Sequence, residues 1–152
     1  MSDSPVVLGR AADKASVDSF FAPVPVKAED DVYLEIKPTR EPYDHQRRAV
    51  NAAVRALASD GYFALFMEMG TGKTKSTLDT AAVMAARGIV DGIVVVAPKG
   101  IMSTWVEEEL PKNFPCGYVT YHWDGRTNAK SDAEFRTVLA AKKFMAFVVN
   151  VE

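Results

Sequence analysis

The sequence predicts an α/β fold, with helices covering both faces of a parallel sheet. Three observations carry that expectation. Apolar runs near 62–67, 93–97, 118–121 and 144–151 alternate with stretches of helical periodicity, the order that builds a parallel sheet through crossover helices. The run Ile93-Val94-Val95-Val96-Ala97 is continuously apolar rather than alternating, as in a strand covered on both faces. The first run passes through Met67-Glu68-Met69-Gly70-Thr71-Gly72-Lys73-Thr74 into a helical pattern. A strand, a glycine turn, Lys-Thr and a helix, in that order, fit a phosphate-binding loop.

The elements follow in chain order. Residues 1–30 hold Pro5, Pro23 and Pro25 and no long periodicity, and read as a mobile leader or a docking arm. Phe20-Phe21 is its strong apolar spot, able to pin the arm to the domain formed by residues 31–152. Residues 32–37 alternate apolar and polar and predict a short strand. Pro42 opens a helix to about Ser59, with Gly61 just past its end. Val50, Ala53, Val54 and Leu57 give that helix one buried face. A first core strand is expected over 62–68. The helix from Thr74 to Arg87 carries the small-residue face Leu78, Ala81, Ala82 and Ala85, with Gly88 as its cap. A helix from Met102 is expected to stop at Pro111, with Trp105 more in keeping with packing than with base stacking. Tyr118 to Tyr121 reads as a strand that meets a loop through His122 and Trp123. Ser131 and Glu134 form a capping box ahead of Phe135, Val138 and Leu139, and residues 144–151 read as the last buried strand.

Bulk properties narrow the function classes. A chain of 152 residues, 48% hydrophobic, holds one ordinary domain with a sizeable core. A net charge of −2 argues against a chain that coats nucleic acid non-specifically, and leaves room for a local basic cleft. Cys116 stands alone, so no internal disulfide is expected and a reducing compartment is the default. Neither a basic-then-apolar leader nor an apolar stretch of about 18 residues is present, so neither a signal peptide nor a membrane span is expected. His45 and His122 lack metal-ligand spacing.

The phosphate loop has a chemical logic. Gly70 and Gly72 let the backbone curl so that successive N–H groups point inward at phosphate oxygens. The helix that follows adds its positive N-terminal end. Lys73 brings a full charge to the β and γ phosphates, and the Thr74 hydroxyl suits a magnesium ligand. Met67 stands where the G-x-x-x-x-G-K-[ST] consensus has glycine. The bland alternative is a chance glycine turn before a helix. Twenty-seven residues upstream of Lys73 lies Gln46, within Pro42-Tyr43-Asp44-His45-Gln46. Its amide can donate to and accept from an adenine edge, and so select adenine over guanine. Taken alone, Gln46 would be a solvated helical residue; Arg47 and Arg48 read as a solvated helix face, with one of them near the nucleotide phosphates as the sharper alternative.

With the segment 94–99 (Val-Val-Val-Ala-Pro-Lys) and Trp105 added, the chain resembles the helicase superfamily-two ATPases, and among them the Snf-type double-stranded DNA translocases. Four ordered motifs carry the resemblance over about residues 40–152: the Tyr-x-x-Gln segment 43–46, the Glu-Met-Gly-x-Gly-Lys-Thr loop 68–74, the apolar strand ending in Ala-Pro with a later Trp at 93–105, and, loosely, the strand 148–152. That family also lacks the first consensus glycine. The resemblance implies a RecA-like P-loop NTPase lobe of three layers. Its ATP would be held by Tyr43 and Gln46 at the base, and by Met69, Gly70, Thr71, Gly72, Lys73, Thr74 and Lys75 at the phosphates. Lys73 and Thr74 would lie nearest the chemistry, with Mg²⁺ on Thr74. Lys99 and Gly100 would meet the backbone of double-stranded DNA at the sheet's C-terminal edge, although Lys99 is equally a solvated loop lysine. A second RecA-like lobe is the implied partner, and a cytoplasmic, nucleoid-associated or nuclear setting the implied location.

Hydrolysis needs an acidic pair at the end of another strand. The nearest candidate, Asn150-Val151-Glu152, lacks the charge that magnesium requires. The expectation is therefore an incomplete lobe, cut before the acidic motif, that binds ATP without useful turnover. A restriction-system motor, an RNA helicase of the DEAD-box type and a non-catalytic nucleotide-binding remnant remain the alternatives. A small-molecule kinase needs neither Gln46 nor Pro98-Lys99.

Overall fold

The structure, a computed structural model, describes residues 30–123, 125 and 129–150. The leader, with Phe20-Phe21, and the pair Val151-Glu152 lie outside them. The chain forms α1 (Asp44–Ser59), α2 (Lys73–Ala86), β1 (Gly92–Val96), β2 (Tyr118–Trp123), α4 (Ala129–Ala140) and β3 (Phe144–Val149), with a composite helix α3 over 102–113 between β1 and β2. The strands make one sheet in the order β1-β3-β2, all neighbours parallel. This is the α/β class with a parallel sheet that the alternation of elements predicts.

The sheet is covered on two sides because its side chains alternate. Ala146 and Val148 of β3 face Leu78 and Ala82 of α2 and Met102 and Leu110 of α3, in the main core. Phe147, on the other face, stacks on Tyr121 at 5.5 Å and meets Phe135 of α4 at 6.2 Å. The small residues of α2 let that helix approach the sheet closely. A second core joins α1 to the back of α2 through Val50, Val54, Val83 and Met84. Each such fully buried aliphatic side chain contributes about 1.5–3 kcal/mol. Positive-φ glycines close both helices, Gly61 after α1 and Gly88 after α2, as the caps predict.

Five local expectations are corrected. Residues 32–37 are not a strand: Val32–Glu35 is a 3-10 turn. The Asp31 carboxylate accepts the Tyr33 N–H, and Asn51 of α1 accepts the Val32 N–H, so the backbone groups a strand would pair are already satisfied. Residues 62–68 form neither helix nor strand and pair with no strand among the described residues, and Phe66 is 94% exposed. The continuous apolar run of β1 is covered on one face only. Ile93 and Val95 pack on the core, whereas Val94 and Val96 stay 65% and 59% exposed. Helix α3 does not stop at Pro111 but runs to Asn113. Residues Trp105–Glu109 widen to π geometry, with the Leu110 N–H reaching back to the Trp105 carbonyl. That local widening relieves the clash of a proline ring with the preceding turn. Trp105 packs against the main core. Helix α4 also begins two residues before Ser131, which puts the predicted capping residue inside the first turn.

Candidate functional site

The glycine turn takes the conformation its residues require. Gly70 and Gly72 sit at φ 78° and 87°, the left-handed region that strains other residues. Gly72 is required twice over, because a methyl there would overlap the Gln46 amide nitrogen. The turn delivers the chain into α2, which starts at Lys73. The first-turn N–H groups of that helix have no partner within it and make an anion-seeking end. The Lys73 ammonium folds back over the turn and donates to the Met67 and Glu68 carbonyls, each at 2.9 Å. Among the described residues no carboxylate pairs with it. A cation held only by neutral carbonyls at a helix N-terminus suits a polyanionic ligand. Thr71 ties the turn together, its hydroxyl donating to the Glu68 carbonyl at 2.7 Å. Thr74 lies half-buried in the first turn of α2, and Met69 is 95% exposed.

Gln46 belongs to this site in space. It is buried in the first turn of α1, where its side-chain oxygen accepts the Tyr43 N–H at 3.1 Å. Its amide nitrogen donates to the Thr71 carbonyl at 2.9 Å. Gln46 thus bridges the start of α1 and the glycine turn, residues 25 apart in sequence. His45 reaches the same Thr71 carbonyl at 3.0 Å and stacks on the exposed ring of Tyr43. Each polar end of Gln46 makes one bond, which leaves one amide N–H and one oxygen lone pair for a base edge.

Lys75 is placed differently from the rest of the turn. Its side chain is 1% exposed and forms an ion pair at 2.5 Å with Asp79, one turn on in α2 and fully buried. Only its backbone N–H remains to meet a phosphate. The Tyr33 hydroxyl donates to the same Asp79 oxygen at 2.7 Å. Burial and the neighbouring carboxylate push the Tyr33 phenol far above its ordinary range, so it stays a donor. Arg47 sits over the Tyr33 ring at 5.2 Å and pairs with Asp31 and Glu41. It is therefore a structural cation rather than a solvated one. This network of Asp31, Tyr33, Arg47, Lys75 and Asp79 joins the Gln46 helix to the phosphate-loop helix. Sequence reading missed it, because its members are polar residues scattered between positions 31 and 79 with no shared motif. The one available signal was the i, i+4 spacing of Lys75 and Asp79.

Asp31 gives the network a pH response. Burial alone would raise its carboxyl, but hydrogen bonds from Asn51, the Tyr33 N–H and Arg47 hold it below the usual value. A depressed folded value means the stabilisation is complete above the unfolded value, about 3.9, and is lost as pH falls through the lower folded one. Urea midpoints measured between about pH 5 and pH 2 should fall with acid, and less steeply in Asp31→Asn. Identical slopes would remove Asp31 from the acid response.

The remaining candidates lie apart from the turn in sequence. Lys99 and Gly100 are exposed in the short 3-10 turn Lys99–Ile101, after the C-terminal end of β1. Asn150 donates to the Ala97 carbonyl at 3.3 Å, so it lies beside the end of β1 as a neutral backbone clamp. Cys116 is half-buried, and burial raises its thiol above the ordinary range, the opposite of an activated nucleophile. Among the described residues no helix is long and apolar enough to cross a membrane. No protein-family model and no curated protein matches this chain.

Proposed function

We propose that the chain is the ATP-binding part of a nucleic-acid-dependent ATPase, a helicase or translocase whose motor couples ATP hydrolysis to movement along double-stranded DNA. The observation that carries this reading is the Gln46–Thr71 hydrogen bond. It sets an amide suited to an adenine edge against a glycine turn suited to phosphates, so one nucleotide can span both. The residues fit the ligand. Lys73 has its charge unpaired, the first-turn N–H groups of α2 face the turn, and the Thr74 hydroxyl would give Mg²⁺ one oxygen ligand. Lys99 and Gly100 are the proposed contacts to the DNA backbone, and a second RecA-like lobe is the proposed partner of the motor. Asn150 is neutral and bonded to backbone, so it supplies no carboxylate to that ion. Binding without turnover is the outcome expected of this chain.

The test is base selectivity. Titration with ATP and GTP, followed by calorimetry, should show Gln46→Ala weakening ATP by about tenfold and GTP by about threefold at most, the scale of one or two lost hydrogen bonds. Equal losses would remove Gln46 as the base reader. Wild-type protein that binds neither nucleotide would overturn the proposal as a whole.

A further inference from the structure

A small aromatic cavity lies on the sheet face that α4 covers, opposite the main core. Strand alternation sends Tyr121 and Trp123 of β2 to one face, and the parallel register sets Tyr121 beside Phe147 of β3. Asp132 and Phe135 of α4 stand at i and i+3, on one face of that helix. Together these residues line a cavity of about 270 Å³. The Tyr121 and Phe147 rings are parallel within 2°, with centroids 5.5 Å apart. The Phe135 ring is inclined to them by 58° and 60°, so the walls form a corner rather than a flat stack. The Tyr121 hydroxyl donates to the Ser131 carbonyl at 3.2 Å. That bond ties the first turn of α4, and with it Asp132, to the rim of the cavity.

Two features set this cluster apart from packing alone. Tyr121, Trp123, Phe135 and Phe147 are all only half-buried, so ring surface is left open around the cavity. The fifth wall is a carboxylate, and among the described residues no ion pair engages Asp132. Aromatic rings and a carboxylate attract the same partner. The rings draw a cation to their faces, Trp most strongly, and the carboxylate draws it by charge. We propose that this cavity binds a compact organic cation, an ammonium group that carries alkyl substituents. The volume lies below the roughly 300–1,000 Å³ of pockets for drug-sized ligands, which suits a small head group. Alkyl substituents match walls of Phe and Trp, which offer a bare ammonium no hydrogen-bond acceptor. A nucleobase would also stack on such rings, but it brings phosphates with it. Among the described residues no Lys or Arg lines the cavity to meet them, and Asp132 repels them. The site shares no residue with the glycine turn, so the proposal stands apart from the ATP reading.

Nuclear magnetic resonance on the full chain tests this, with the Trp123 indole N–H as reporter. Choline should shift that resonance saturably, with a Kd in the millimolar range. Its uncharged isostere, with carbon in place of nitrogen, should bind at least about tenfold more weakly, because it fills the same space without charge. Asp132→Asn should weaken choline by at least about threefold and leave the isostere unchanged. The Asp132 side chain is exposed, so that substitution disturbs no packing. Phe135→Leu, which keeps an apolar wall without a ring, should weaken choline as well. Equal binding of choline and its isostere overturns the proposal and leaves an apolar cavity only. Choline that shifts nothing, or that binds Asp132→Asn as well as wild type, overturns it too. A peptide bearing trimethyllysine then assigns the source of the cation. Tighter binding than choline, weakened by Asp132→Asn, places it on a partner chain; equal or weaker binding makes it a free amine.

Discussion

Replacing Lys73 with alanine is expected to weaken nucleoside triphosphate binding by about a hundredfold, the equivalent of one or two charge-assisted hydrogen bonds. Its ammonium is held over the glycine turn, and its present partners are two neutral carbonyls. A triphosphate would offer it a charged partner in their place. Those carbonyls belong to a half-exposed and an exposed residue, Met67 and Glu68, which can turn to water when the lysine is removed. The melting temperature should therefore stay nearly unchanged. Fluorescent ATP-analogue titration beside a thermal melt separates the two effects. Unchanged affinity with an intact fold would mean that the turn is only a helix cap. Lost affinity with a collapsed melt would mean that Lys73 holds structure rather than ligand.

The helices and the glycine turn were legible because their signals are local. Val50, Ala53 and Val54 recur at helical spacing, and all three are buried. Gly70, Gly72 and Gly88 stand where only a positive φ completes the turn or the cap. What escaped depends on partners far away in the chain. The apolar residues 62–67 look like a strand, but a strand exists only through its neighbour, and this segment has none among the described residues. Residues 32–35 alternate as a strand would, yet Asn51 and the Asp31 side chain capture their N–H groups and wind them into a turn. The exposure of Val94 and Val96 is likewise decided at a distance, by which elements pack on that face of β1. In the site, sequence spacing put Gln46 near the turn in function, but not that its amide is already bonded on both sides. Lys75 has the residue type of a phosphate ligand, yet its helical position turns the side chain into the core.

That buried position makes Lys75 and Asp79 large stability determinants. Asp79→Ala should destabilise the fold by about 3–5 kcal/mol, because it strands a buried ammonium without a counter-charge. The loss is a large share of the roughly 5–15 kcal/mol that holds an ordinary domain. It also removes the acceptor of the Tyr33 hydroxyl, which anchors the segment before α1 to α2. Lys75→Met should destabilise less than Asp79→Ala, since the remaining carboxylate keeps the Tyr33 donor. The pair is not optimal for stability as it stands. The second oxygen of Asp79 and the Ser76 hydroxyl, one turn away on the same face, are buried without partners. Replacing both charges and the phenol together, as Lys75→Met/Asp79→Leu/Tyr33→Phe, should therefore recover most of the loss, because it leaves no buried charge without a counter-charge and removes the orphaned Asp79 oxygen. Urea unfolding of the single and triple variants decides between the outcomes. A loss below about 1 kcal/mol in Asp79→Ala would mean that the pair is hydrated in solution. A triple variant as unstable as Asp79→Ala would mean that the charges fix how α2 meets the segment before α1. In that case the network would hold the phosphate-loop helix in register with the helix that carries Gln46, which no apolar replacement reproduces.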